Sequence, residues 1–86
     1  MGKTIALFKV KPAEDIEPKD CIEQLKTSKK GEFADAKEEP IGFGIIVVKA
    51  AFIIPEKQDE AVNELTEELN AMEKVEEAEL EGLTLL

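Results

Sequence analysis

The segment from Ile45 to Pro55 constrains the fold of this chain more than any other part. Apolar side chains occupy both of its alternating faces, and Lys49 is its only charged residue. A strand that is apolar on nearly both faces is typical of the interior of a sheet. Proline cannot donate a backbone hydrogen bond, so Pro55 ends the segment. The sequence therefore predicts a central strand from Ile45 to Ile54.

Alternation of apolar and polar residues predicts three further strands. Thr4–Lys11 alternates cleanly, whereas Glu32–Glu39 alternates weakly and is highly charged, as an edge strand tends to be. On this second strand, Phe33 and Ala36 are expected on opposite faces. The last segment alternates up to Gly82, where its phase changes. This break predicts either a β-bulge or a tail that leaves the sheet.

Two other segments have the period of a helix. In the first, Pro18 suits the opening turn and Gly31 the position just past the end. The second runs from Glu56 to Met72. The order strand, helix, strand, strand, helix, strand predicts an α+β, ferredoxin-like βαββαβ sandwich. We expect residues 1–86 to form one domain, in which a four-stranded antiparallel sheet carries both helices on one face and the last strand lies beside the first.

The composition argues against an enzyme. The chain has no His, one Cys, and only lysines among its 11 basic residues. Without His, the commonest general base and metal ligand are missing, and Cys21 has no imidazole to activate it. We therefore expect no catalytic residue, no cofactor and no metal, and we interpret Cys21 as a small core residue.

The whole net charge of −9 lies in residues 56–86, which hold 11 acidic residues and two lysines. Such a surface repels phosphate backbones, so direct nucleic-acid binding is disfavoured. The longest apolar run, Ile45–Val48, is far shorter than the ~20 residues of a membrane-spanning helix. We expect a cytoplasmic protein without membrane contact, whose acidic surface is solvated or steers a basic protein partner.

Three stretches resemble one known family. The first is Val10-Lys11-Pro12, with Glu14 and Asp15 just after it. The second is Pro40-Ile41-Gly42-Phe43-Gly44-Ile45, and the third is the spacing of the last helix and strand. Together they resemble the guanine-nucleotide exchange domain of elongation factor 1-beta in its short archaeal form. The second stretch resembles that family's Pro-x-Gly/Ala-aromatic-Gly-aliphatic turn into the central strand.

The resemblance implies that the chain, as a monomer, promotes GDP release and GDP/GTP exchange on elongation factor 1-alpha in translation elongation. Phe43, between two glycines, stands where the family has a hydrophobic finger. Leu85 stands where eukaryotic members carry a lysine thought to disturb the Mg²⁺ site, so the lysine mechanism does not transfer. The partner-binding residues implied are Pro40, Ile41, Gly42, Phe43, Gly44 and Leu85.

A second class of function remains open. Small-ligand-binding regulatory domains of ferredoxin-like fold pair edge to edge and bind a ligand at the interface. The charged strand at Glu32–Glu39 argues weakly against such pairing.

Overall fold

The computed structural model describes residues 3–55 and 59–85. The chain order confirms the predicted βαββαβ arrangement, although residues 56–58, where the second helix was predicted to begin, lie outside the described residues. The elements are β1 (Lys3–Pro12), α1 (Pro18–Leu25), β2 (Glu32–Gly42), β3 (Ile45–Pro55), α2 (Asp59–Asn70) and β4 (Val75–Leu85).

The four strands form one antiparallel sheet in the order β2-β3-β1-β4. The predicted central strand, β3, lies between β2 and β1, and the charged strand β2 is at an edge. β4 pairs with β1, as predicted, and forms the other edge. This topology is that of a ferredoxin-like α+β fold.

Both helices cover the same face of the sheet. Phe52 is completely buried at the centre of this face and makes edge-to-face contacts with Phe8 and Phe33, at ring-centroid distances of 5.9 and 5.7 Å. Cys21 on α1 is also fully buried, and burial raises the pKa of its thiol to about 11. This burial confirms Cys21 as a core residue. Leu25 from α1 and Leu65 and Leu69 from α2 complete the helical side of the core.

Each of the two edge strands contains a β-bulge that shifts its register. In β4, Leu80 pairs with Phe8 and Gly82 with Leu7, so Glu81 is an extra residue and the strand stays in the sheet. This confirms the bulge predicted from the break in alternation. A second bulge follows Phe33 in β2. Phe33 and Ala36 consequently both pack against the core, and the prediction that they lie on opposite faces was wrong.

The connection from α1 to β2 is fixed by α2. The carboxylate of Glu68 accepts hydrogen bonds from the Ser28 hydroxyl at 2.7 Å and from the backbone N–H groups of Lys29 and Lys30 at 3.0 and 3.1 Å. Desolvation raises the pKa of Glu68, but these hydrogen bonds and the charge of Lys30 outweigh it, so the net pKa is lowered. The carboxylate thus ties the connection to the second helix.

Gly31 does not end the first helix, contrary to the sequence prediction. That helix ends at Leu25, and Lys26 caps it. A Cβ added to Gly31 would lie 2.8 Å from the Cδ2 atom of Leu65. Glycine is present here because β2 starts in close contact with α2.

Candidate functional site: the end of the β2–β3 hairpin

The turn between β2 and β3 is a two-residue loop. Gly42 and Ile45 are the last paired residues, which leaves Phe43 and Gly44 as the central positions. Their φ angles are +55° and +75°, and both are positive as a type I′ turn requires. This turn suits the right-handed twist of the flanking strands. Just before it, the register of β2 against β3 shifts between Pro40 and Gly42, so Ile41 is an extra residue.

Phe43 occupies a position that favours Asn, Asp or Gly. A left-handed φ brings the Cβ of an L-residue close to the following carbonyl oxygen and costs about 1–2 kcal/mol. The ring gains no packing in return, because its side chain is fully exposed, at 103% of the reference value. Phe43 therefore adds no packing to the fold, and its ring is fully accessible to another molecule.

The two flanking glycines set the backbone. Gly42 has a φ of +106° and Gly44 one of +75°. Nothing lies within 4 Å of a Cβ added at either position, so space does not demand glycine. The backbone conformation demands it, because L side chains rarely adopt these angles. The glycines hold the turn that projects Phe43 away from the sheet.

The hairpin end is apolar and uncharged. Residues 40–48 contain no charged side chain in a sequence that is 36% charged. Six large apolar side chains among the described residues are exposed, and four of them are Ile41, Phe43, Ile45 and Ile46. Depletion of charge around exposed apolar residues is typical of the core of a protein–protein interface.

Along β3, the first charged residue after the turn is Lys49. The ammonium of Lys49 donates a hydrogen bond of 2.6 Å to Glu81, and mainly this bond raises the pKa of Lys49. In residues 3–55 and 59–85, no cluster of three or more His, Cys, Asp or Glu residues could hold a metal ion. None of the helices within the same ranges is long and apolar enough to cross a membrane.

Two of the three stretches that carry the family resemblance meet in space. Pro12, Glu14 and Asp15 line a cleft whose other wall is the hairpin end, at Gly44 and Ile45. The β1–α1 loop and the hairpin therefore form one end of the molecule. The sequence placed the loop and the turn far apart along the chain, and only the pairing of β1 with β3 brings them together.

The predicted site residues do not all converge. Residues 40–44 lie together at the hairpin end, whereas Leu85 pairs with Thr4, which in turn pairs with Ile54. Ile54 is nine residues along β3 from Ile45, about 30 Å at ~3.3 Å per residue. Leu85 therefore lies at the opposite end of the sheet.

The sequence analysis missed Ile45 and Ile46 as surface residues. It assigned them to the buried part of a central strand. One sequence feature could have indicated their exposure. Residues 40–48 form an uncharged run that continues across the turn, where the chain leaves the core.

Comparison with known proteins decides the family. The sequence model of the EF-1 guanine nucleotide exchange domain matches residues 5–86. The chain belongs to this family. It is 37% identical over 86 residues to elongation factor 1-beta of Methanoregula boonei, with 99% of each chain covered. It is 31% identical over 86 residues to elongation factor 1-beta of Methanospirillum hungatei, with 100% of each chain covered.

Membership in the EF-1 exchange family confirms the prediction of guanine-nucleotide exchange on elongation factor 1-alpha in translation elongation. It also confirms the resemblance to the archaeal form, since these relatives come from archaea and match the chain over its full length. The alternative, a small-ligand-binding regulatory domain, has no support in these matches.

Proposed function

We propose that the hairpin end is the part of this exchange domain that binds elongation factor 1-alpha, and that Phe43 is its main anchor. Pro40, Ile41, Gly42 and Gly44 frame this anchor. The observation that carries the proposal is a fully exposed aromatic ring held in a strained backbone conformation. Strain of this kind persists at sites where function, and not stability, maintains it.

Exchange needs binding energy and no covalent chemistry. The domain has to bind the nucleotide-free GTPase more tightly than the GDP-bound form. By reciprocity, it then weakens GDP binding by the same factor. This difference in affinity arises when a rigid aromatic ring fits a pocket that is open only in the nucleotide-free state. The domain therefore acts as an exchange factor without catalytic residues or a cofactor.

Leu85 belongs to a separate contact in this proposal. Its place about 30 Å from the hairpin turn, at ~3.3 Å per strand residue, means that it meets a different part of the partner. Leucine carries no charge, so this contact acts by apolar packing and not by competition with Mg²⁺.

The domain is a cytoplasmic monomer that binds neither nucleic acid nor membrane in this proposal. The net charge of −9 supports the absence of a nucleic-acid contact. The sheet edges support a monomer. On β4, the side-chain amide of Asn70 exchanges two hydrogen bonds with the backbone of Ala78 and occupies part of that edge. On β2, charged side chains disfavour pairing with another chain.

Release of fluorescent GDP from an archaeal elongation factor 1-alpha tests the proposal. The unmodified domain should accelerate release, and Phe43→Ala should lose at least tenfold in affinity, because truncating an anchor commonly costs about 2 kcal/mol or more. Leu7→Ala is the matched control, since Leu7 is an exposed apolar residue of β1 outside the hairpin end. Equal activity of Phe43→Ala and the unmodified domain would refute the site.

A further inference from the structure

The hairpin end is flanked by a cleft on each side of the sheet. On the helix side, a cleft of about 450 Å³ lies between the hairpin and the β1–α1 loop, and Ile16, Ile45 and Ile46 line it. On the face without helices, the open side, Ile41, Ile45 and Val47 of the hairpin line a cleft of about 180 Å³ together with charged residues of β1 and β4, namely Lys9, Lys11, Glu77 and Glu79. Ile45 lines both clefts, so they meet around the hairpin.

The apolar residues of the hairpin end are divided between these two sides. Ile46 has the parity of Val48, a core residue, so it lies on the helix side beyond the end of the core. Ile46 is 36% exposed there. Ile41 contributes to the cleft on the open side and is 50% exposed. A hairpin that touched its partner with one face would have no reason to carry exposed isoleucines on the other.

We infer that elongation factor 1-alpha clasps the hairpin end on both faces of the sheet, so that the hairpin inserts into a groove of the GTPase. This inference rests on the proposed function and adds the shape of the partner's surface. The groove is apolar where it meets the hairpin itself, because residues 40–48 present no charge. Deeper in the clefts its walls face charged residues, such as Lys11 on both sides and Glu77 on the open side. The exposed apolar residues Ile41, Phe43 and Ile46 follow one another around the turn, so the anchor at the tip lies between the two sides.

Single substitutions on each side test the clasp. Ile41→Thr weakens the open side and Ile46→Thr the helix side, while threonine keeps the β-branched shape that suits a strand. Each variant should raise the concentration of domain that gives half-maximal GDP release by at least fivefold. Leu7→Thr, an equally apolar and exposed position outside the clefts, should leave that concentration unchanged.

A second measurement does not depend on how the variants fold. The δ1 methyl groups of Ile41 and Ile46 are observed by NMR in the unmodified domain with a soluble gadolinium chelate. In the free domain both methyl signals should broaden. Addition of nucleotide-free elongation factor 1-alpha should protect both.

The outcomes separate the clasp from the proposed function. If Phe43→Ala impairs exchange but one isoleucine substitution does not, or one methyl group stays accessible in the complex, the hairpin contacts its partner with one face and the clasp is refuted. If Phe43→Ala has no effect, or the domain does not bind the GTPase, the proposed function fails and the clasp fails with it.

Discussion

The body and the tip of the β2–β3 hairpin use the same residue type for opposite purposes. In the body, Phe52 is fully buried and contacts two other rings. At the tip, Phe43 is fully exposed on a backbone of positive φ. Phe52 stabilises the fold, whereas Phe43 is retained although its conformation costs stability. A hydrophobic residue therefore indicates function when its conformation is costly and its burial is nil.

The largest effect should come from truncation of Phe52 in the body of the hairpin. Phe52→Ala removes a ring from a closely packed core and should cost about 3–5 kcal/mol of unfolding free energy. Small domains have a total stability of about 5–15 kcal/mol, so the melting temperature should fall steeply. Thermal unfolding followed by circular dichroism measures this change. Phe43→Ala is the control, and a comparable loss of stability there would contradict the contrast between body and tip.

A smaller effect should appear at the α1–β2 connection. Unlike the hairpin tip, this connection is fixed by hydrogen bonds to another element of the fold. Glu68→Gln weakens the hydrogen bonds to Ser28, Lys29 and Lys30 and should cost about 1–2 kcal/mol at neutral pH. Because folding lowers the pKa of Glu68, its contribution is present above the ordinary value of 4.5 and is lost as pH falls through the lowered pKa. Melting temperatures of both proteins should therefore converge at acidic pH.

Glu67→Gln is the matched control for this pH dependence. Glu67 is an exposed neighbour on the same helix. The melting temperature of the Glu67→Gln variant should change with pH as that of the unmodified protein does, from neutral to acidic pH. A gap between Glu68→Gln and the unmodified protein that stays constant across this range would show that the carboxylate charge does not hold the connection.

The smallest effect concerns the backbone of the turn. Gly44→Ala fits sterically but places an L-residue at a φ of +75°, so it should cost about 1 kcal/mol. Gly44→Asn should cost less, because Asn tolerates the left-handed region. Both the melting temperature and the stimulated GDP release should be highest for the unmodified protein, lower for Gly44→Asn and lowest for Gly44→Ala. Equal values for Ala and Asn would show that turn geometry does not position Phe43.

The sequence predicted the architecture because its signals were local. Alternation, helical period and well-placed prolines gave all six elements, and apolar residues on both faces identified β3 as central. The failures depended on contacts between distant segments. Gly31 was misassigned because glycine is needed there for the close contact with Leu65, which is 34 residues away. The faces of β2 were misassigned because a bulge follows Phe33. A bulge without a glycine leaves little trace in a charged strand.

The candidate site was predicted in part. The resemblance selected residues 40–44, which do lie together, but it could not reveal the positive φ of Phe43. Nor could it place Leu85, because the position of β4 along β1 depends on the bulge at Glu81.

The central claim is that Phe43 serves binding at the expense of stability, and Phe43→Asn tests it most directly. This change creates Asn-Gly, the favoured pair for a type I′ turn, and should raise the unfolding free energy by about 1 kcal/mol. Melting temperature and stimulated GDP release are measured on the same preparation. The account predicts a domain that melts at a higher temperature and has lost most of its exchange activity. A variant that melts lower, or that exchanges nucleotide as well as the unmodified protein, would contradict it.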